Sequence, residues 1–507
     1  MEKVDGSLKT VVLGAGIFFI GMLFSKFFNY FFRLITARLG TESYGIIALS
    51  LSFVSVLSVV ATLGLNNGVL RYIPFFHSKN EDRKVKGVIL FSLKVSLIAG
   101  LFLGLLLFVF SDLISAVLFP HFNQQLLSTA LKIVSFALPL TALLFIFYAS
   151  FEAFRALKYE IYAKNIFDGA FKVVLTFLAV YFGFSIFGVM FVYVAAVLGA
   201  VALSFYYLNR FVFPLFKHER PDYVNRELFY YSLPLVLSGL CIILIASIDS
   251  WIIGFFRNAS EVGIYNAALP TAQLLYTVPS IILILFLPVL SELYAKNDTQ
   301  AFASVYKTVT KWIFFVNLPL TILFLLFSKD ILGVLFGPDY VSGALPFMFL
   351  SIGFLANSLF MTSERMLMVV KRTRFILFSY LVVLVVNALL NLYLVPKYGI
   401  VGAGIASGSS YVLLGLFFMF GSYRFTGTLP FTLSYLKAVF AILVASGLVF
   451  FVRYIFVLEG VYFRIAVMGL FGLSYLALLF IFKSFDKEDV MIINSVKNKV
   501  GGYLRIR

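Results

Sequence analysis

A single cysteine, Cys241, and three histidines are the only thiol and imidazole groups in 507 residues. One thiol cannot close an internal disulfide, and so few scattered histidines cannot assemble a zinc or catalytic cluster. No metal site and no cofactor is expected. Charged side chains are also scarce, at 12% of residues, against about 25% in soluble domains. No GxxxxGK[ST] stretch occurs, so the loop that would cradle a nucleotide phosphate is missing and ATP is excluded as a direct energy source.

What fills the chain instead is apolar. Hydrophobic residues make up 62%, phenylalanine alone occurs 62 times, and the mean hydropathy is +1.02. This composition reads as an all-α polytopic membrane protein. A net charge of +17 then points to basic cytoplasmic loops beside an anionic leaflet, not to nucleic acid. No small-residue cleavage site follows the first apolar run, which is expected to remain as an anchor.

A spanning helix needs about 20 mostly apolar residues. Fourteen candidates meet this, at 8–36, 45–72, 87–111, 125–150, 161–182, 186–209, 228–255, 263–292, 306–328, 341–370, 373–395, 399–421, 433–455 and 462–482. With the N-terminus inside, twenty-eight Lys and Arg fall on cytoplasmic segments and six on outer ones. The positive-inside bias therefore predicts an inner-membrane protein with both termini cytoplasmic. The basic tail, 483–507, is expected to lie on the anionic inner leaflet.

Two landmarks recur. TESYGIIALSLS (41–52) parallels ASEVGIYNAALP (259–270), and YFGFSIFGVM (181–190) parallels KYGIVGAGIA (397–406). From Gly45 to Gly183 is 138 residues, and from Gly263 to Gly399 is 136. The spacing predicts two parallel six-helix repeats, an N-lobe (1–209) and a C-lobe (228–425), around a central cavity. The hinge-like linker RFVFPLFKHERPDYVNRE (210–227) joins them, and residues 426–507 add two helices and the tail. Parallel repeats of this kind place a substrate site between the halves, reached alternately from each side.

The stretch NYFFRLITARLGTESYGIIALSLSFVSVLSVVATLGLNNGVLRYIP (29–74) resembles the N-terminal signature of polysaccharide biosynthesis exporters. Those are the oligosaccharide-lipid flippases of the multidrug/oligosaccharidyl-lipid/polysaccharide (MATE-like) superfamily. Ala37-Arg38-Leu39-Gly40, Tyr44-Gly45 and Leu63-Gly64-Leu65-Asn66 carry the likeness; IDSWIIGFFRNASEVGIYNAA (248–268) and YGIVGAGIAS (398–407) look like its second-half counterparts. The resemblance implies a flippase that moves a polyprenyl-pyrophosphate-linked oligosaccharide from the inner to the outer leaflet. Its partners would be that lipid, membrane lipids and polysaccharide polymerase or assembly proteins, with no nucleic acid.

Charges inside the apolar runs are the candidate site. A cation at the bilayer midplane costs roughly 2.5–3.5 kcal/mol on insertion scales, so each one needs a reason. Lys26, Asn29 and Arg33 are three and four apart and share one helical face, flanked by Phe27, Phe28, Phe31 and Phe32. Arg71, Lys172 and Arg365 complete the expected cationic, substrate-binding set. Asp168, four before Lys172, is positioned to pair with it. Asp168, Asp249 and Glu364 are the candidates for coupling to a proton or sodium gradient. The plainer alternatives are snorkelling to headgroups for Arg33, Arg365, Lys94 and Lys132, an internal ion pair for Asp168 with Lys172, a solvated loop base for Arg71, and cross-helix pairing for Asp249. Pro270, Pro279 and Pro288 point to a bent eighth helix.

The sign of the buried charge favours an anionic headgroup, whereas an exporter of organic cations needs carboxylates and aromatics in its site. A lipid II flippase and a cation-coupled multidrug exporter of the same superfamily remain the alternatives. An embedded glycosyltransferase or ligase is disfavoured. The short outer segments carry Glu42, Glu261, Asp330, Asp339 and Glu459 singly, without the paired carboxylates that sugar chemistry uses.

Overall fold

The computed structural model describes residues 21–216, 220–455, 460–482 and 484, and every regular element among them is helical. A helix over 21–37 (α1) is followed by α2 (Thr41–Ala61), α3 (Leu65–His77), α4 (Asp82–Leu118), α5 (Gln124–Ser135) and α6 (Ala137–Ala153). The short α7 (Leu157–Glu160) runs into a π-helix (Ile161–Asp168) and then α8 (Gly169–Tyr181) and α9 (Ile186–Tyr207). Next come α10 (Asn225–Phe256), α11 (Ala259–Ala272), α12 (Thr277–Ala295), α13 (Thr299–Leu326) and α14 (Ser328–Leu335). The last are α15 (Ala344–Val369), α16 (Thr373–Thr426), α17 (Ser434–Ile455) and α18 (Val461–Ile481). Ten helices among the described residues are long and apolar enough to cross a membrane. Expectations for the two termini, the tail and part of the linker lie outside the described residues.

Several expected spans are broken, each for a local reason. The run 45–72 divides because Leu63 and Gly64 take positive φ, 50° and 71°. Gly64 there lies against the carbonyl of Ser232, where a β-carbon would clash. The run 263–292 passes through a 3₁₀ turn at Gln273–Tyr276. Pro279 has no N–H to offer the carbonyl four residues back. That carbonyl, Leu275 O, instead accepts Asn317 Nδ2 at 2.9 Å. The runs 373–395 and 399–421 form one element, α16, broken at Gly399 (φ 56°, ψ −137°). Freed carbonyls beside the break find a cation: Arg257 Nη2 donates to Pro396 O at 3.0 Å and to Val395 O at 3.4 Å.

The chain forms two compact units. One holds the residues up to Pro270 with Leu332–Pro346 and Tyr380–Ala406; the other holds Thr271–Ile331, Phe347–Ser379 and the residues from Ser407 on. Without a hydrophobic drive between helices in lipid, close packing needs small residues. In the first unit, Gly100 and Gly104 of α4 let that helix ride against Pro139 and Ser135. In the second, Gly353 and Gly408 let α15 and α16 touch backbone to backbone.

Candidate functional site

Seven of the nine expected site residues lie in the first unit. On α1, Lys26 is half-buried and Asn29 is exposed, donating Nδ2 to Ser25 O at 2.9 Å. Phe27 and Phe31 are exposed beside them, so the polar stripe and the aromatic flanks share the outward part of the helix. Arg33 is half-buried and hydrogen-bonds the Tyr44 side chain on α2. Tyr44 in turn donates its hydroxyl to Asn266 O on α11 at 3.0 Å. Arg33 therefore belongs to the joint between α1, α2 and α11. Arg71 is exposed at α3 and lies over the Tyr231 ring of α10, 4.1 Å from its centroid, and 5.5 Å from that of Tyr72. The arrangement is a cation–π contact of a solvated base.

Asp168 and Lys172 do pair, Nζ to Oδ2 at 2.7 Å, with side chains only 15% and 11% exposed. The ammonium also lies 4.9 Å from the Tyr193 ring centroid on α9. Lys172 is thus a compensated cation in this structure. Lys132, read from sequence as a snorkelling lysine, pairs with the exposed Asp112 at 2.8 Å.

Asp249 on α10 is 1% exposed. Its carboxylate accepts the Tyr265 hydroxyl at 2.5 Å and Asn391 Nδ2 at 2.8 Å. Asn387, one turn before Asn391 on α16, is likewise fully buried, and Asn266 bonds Ser250 Oγ at 2.9 Å beside the cluster. The result is a buried carboxylate held by a phenol and an amide, assembled from α10, α11 and α16. Tyr265 and Asn391 are functional candidates that sequence reading missed, because they lie 16 and 142 residues from Asp249.

The second unit contains the remaining two. Glu364 on α15 is buried, and Arg365 is half-buried with Nη1 3.2 Å from Met368 Sδ. Lys311, read from sequence as cytoplasmic, is only 3% exposed on α13. The same helix carries hydroxyl contacts: Tyr306 with Ser363 at 2.7 Å and Ser422 at 3.3 Å, and Thr310 with Thr362 at 2.8 Å. A cavity of about 480 Å³ in this unit is lined by Tyr294, Asp298, Gln300, Arg372, Phe425 and Thr428 among others. An apolar one of about 270 Å³ in the first unit is lined by Phe53, Phe119, Trp251 and Phe255 with their neighbours. None of the nine expected residues lines either. Among the described residues, no group of three His, Cys, Asp or Glu is arranged to hold a metal ion.

Comparisons with known proteins place this geometry in context. A family model described as "Polysaccharide biosynthesis protein" matches residues 35–345. The chain is 26% identical over 391 residues to an uncharacterized membrane protein of Methanocaldococcus jannaschii, covering 72% of this chain and 75% of that one. It is 26% identical over 196 residues, 38% of this chain and 42% of the other, to a Haloferax volcanii protein named "Probable low-salt glycan biosynthesis flippase Agl15". Among solved structures, the lipid II flippase MurJ in an inward closed conformation matches with a TM-score of 0.70 at 18% identity, covering 92% of this chain and 98% of that one. An inward-facing multidrug resistance MATE family transporter matches with 0.65 at 14% identity, covering 79% and 94%. At those identities the structural matches speak for the fold alone.

Proposed function

The chain belongs to the polysaccharide biosynthesis protein family, and from that premise we propose that it flips a polyprenyl-pyrophosphate-linked oligosaccharide from the inner to the outer leaflet. The cargo is a cell-surface polysaccharide repeat unit, moved by alternating access between an N-lobe (1–209) and a C-lobe (228–425). The observation that carries this reading is the pair of cations on α1, Lys26 and Arg33, seven residues apart in an apolar helix otherwise studded with phenylalanine. A pyrophosphate in a low-dielectric cavity is held by such charges, and family membership gives the charges a substrate. In this scheme Lys26, Asn29 and Arg33 meet the headgroup, Arg71 meets it first at the cytoplasmic mouth, and Lys172 and Arg365 lie along its path. No cofactor takes part, and the driving force is a proton or sodium gradient acting at Asp168, Asp249 or Glu364. The matching landmarks support a duplicated unit: Gly183 and Gly399 both hold positive φ, at 76° and 56°.

The test is reconstitution of the purified protein in liposomes, following leaflet transfer of a polyprenyl-pyrophosphate oligosaccharide. Transfer by the wild type that collapses in a folded Lys26→Ala/Arg33→Ala protein supports the reading. Equal transfer by both moves the site elsewhere. Transfer of lipid II alone favours the lipid II flippase alternative, and gradient-driven movement of an organic cation alone favours a multidrug exporter.

A further inference from the structure

Each unit carries the same pair of turns at one end of its bundle. Asn80 after α3 and Asn297 after α12 are left-handed, at φ 58° and 55°. Arg155 after α6 and Lys371 after α15 repeat this, at 57° and 59°. In each turn the next N–H returns to a carbonyl five residues back. Glu81 N meets Phe76 O at 3.0 Å and Asp298 N meets Leu293 O at 3.1 Å; Ala156 N to Phe151 O and Arg372 N to Leu367 O are both 2.8 Å. These are Schellman-type caps. They put His77 in register with Tyr294, Glu81 with Asp298, Phe154 with Val370 and Ala156 with Arg372.

In the first unit the space between the turns is filled by its own side chains. Phe154 meets His77 edge-on, centroids 5.5 Å apart, and stacks on Phe213, also at 5.5 Å. Phe213, just beyond α9, is buried. In the second unit Val370 stands where Phe154 does, and the space is open. A cavity of about 480 Å³ lies between the ends of α12, α15 and α16, with Tyr294 and Phe425 in its wall. The first unit closes this end with an aromatic plug, so the opening belongs to the sequence of the second unit and is not demanded by the bundle.

The cup is polar, and its charges balance. Arg372 and Asp298 are the one cation and the one anion among its lining residues, accompanied by Asn297, Gln300 and Thr428. Both charges are held in place and remain accessible. The Arg372 guanidinium lies over the Phe425 ring, 4.4 Å from its centroid, and makes no ion pair or hydrogen bond among the described residues. One Asp298 oxygen caps α13 by accepting Ala301 N at 2.9 Å, which leaves the other for a ligand. Tyr294, Asn297, Asp298, Gln300 and Arg372 are all exposed.

A wall of zero net charge has little pull on a pyrophosphate or on an organic cation. A neutral polyol suits it. Guanidinium, carboxylate and amide groups are two-pronged and match neighbouring hydroxyls, and the C–H face of a sugar ring packs on an aromatic side chain. The volume falls within the roughly 300–1,000 Å³ of small-molecule sites and takes one or two sugar rings. We propose that this cup is a docking site for a neutral mono- or disaccharide unit, held by Arg372, Asp298, Asn297, Gln300 and Tyr294. The choice of occupant rests on the transport reading above: the sugar is part of the lipid-linked cargo, met on the side expected to be cytoplasmic before the cargo crosses.

The full-length protein is placed in lipid nanodiscs, free of maltoside and glucoside detergents, whose sugar headgroups would compete. Saturation-transfer NMR then follows the methyl glycosides of glucose, galactose, mannose and N-acetylglucosamine. At least one is expected to show transfer from the wild type. Val370→Phe, which rebuilds the plug of the first unit, is expected to abolish it, and Arg372→Ala to weaken binding roughly tenfold or more. Arg372 is exposed, so its variant tests the cup even where Val370→Phe folds poorly. Silence from every sugar, or undiminished transfer in the two variants, overturns the cup. Inorganic pyrophosphate that binds where no sugar does, and is lost in Arg372→Ala, makes it an anion site and overturns it too. Sugar binding that both variants lose, in a protein that flips no polyprenyl-pyrophosphate oligosaccharide, upholds the cup and overturns the transport reading. Flipping without sugar binding does the reverse.

Discussion

Gly45 of α2 and Gly263 of α11 stand backbone to backbone. A β-carbon on Gly45 would overlap the carbonyl oxygen of Ala259, and one on Gly263 would overlap that of Thr41. Each glycine thus meets the residue four before the other, a reciprocal contact. Ser260 Oγ donates to Thr41 Oγ1 at 2.7 Å beside it. Valine at either position is expected to force the two helix starts apart. In a Cys241→Ala background, cysteines at Thr41 and Ser260 should cross-link readily on oxidation. Adding Gly45→Val should cut the yield at least about tenfold, equivalent to about 1.4 kcal/mol. An undiminished yield would mean the helices tolerate a side chain there.

Asp249 holds two buried donors, so truncation and isosteric replacement should differ. Asp249→Ala removes the carboxylate that accepts the Tyr265 hydroxyl and one hydrogen of the Asn391 amide, whose Nδ2 also donates to Asn387 O at 3.0 Å, a loss of roughly 2–5 kcal/mol. Asp249→Asn keeps the shape and is expected to cost less. Thermal unfolding in detergent, monitored for both variants, checks the order. Transport by Asp249→Asn that no longer responds to an imposed gradient would assign the coupling ion to this carboxylate.

How much of this was legible in the sequence depended on distance along the chain. The Asp168–Lys172 pair was readable because a helix turns spacing of four into contact. The nest around Asp249 was not, since its partners come from two other helices. Gly45 and Gly263 were visible as equivalent landmarks, but nothing in either segment says that they touch. The hydroxyl contacts of Tyr306 and Thr310 were not readable either, because their partners are scattered over residues 362–422. The break at 62–64 was hidden for a similar reason: TLGLN is apolar enough to pass for helix, and the carbonyl that requires Gly64 belongs to Ser232.

The Gly399 break gives a paired prediction. Gly399→Ala imposes a β-carbon at φ 56°, ψ −137°, outside the regions open to L-residues, at roughly 1–3 kcal/mol. Arg257→Ala removes the donor to Val395 O and Pro396 O, at roughly 1–3 kcal/mol if those carbonyls stay dry. Because both act on one turn, the double variant should lose less than the sum. Additive losses in denaturant midpoints would show the two to be independent.

The exposed pair Lys296–Glu292 sets the opposite expectation. The Glu292 carboxylate, 2.5 Å away, hydrogen-bonds Lys296 and holds it above its ordinary 10.5. A raised amine stabilises the fold below its unfolded value and loses that contribution as pH climbs through the folded one. The window therefore lies above pH 10.5, and solvent screens the pair. Glu292→Gln should leave the melting temperature unchanged from pH 5 to pH 9 within error. A measurable drop would show that the pair is shielded in the membrane-bound protein.

The chain has two tryptophans. One of them, Trp251 on α10, stacks on Phe53 of α2 at 4.8 Å and donates its indole N–H to Ser52 Oγ at 2.7 Å. Both contacts end if those helices part. With Trp312 replaced by phenylalanine, the protein would carry its own optical gauge: a single emitter whose colour and lifetime register each separation of α2 from α10, without any dye.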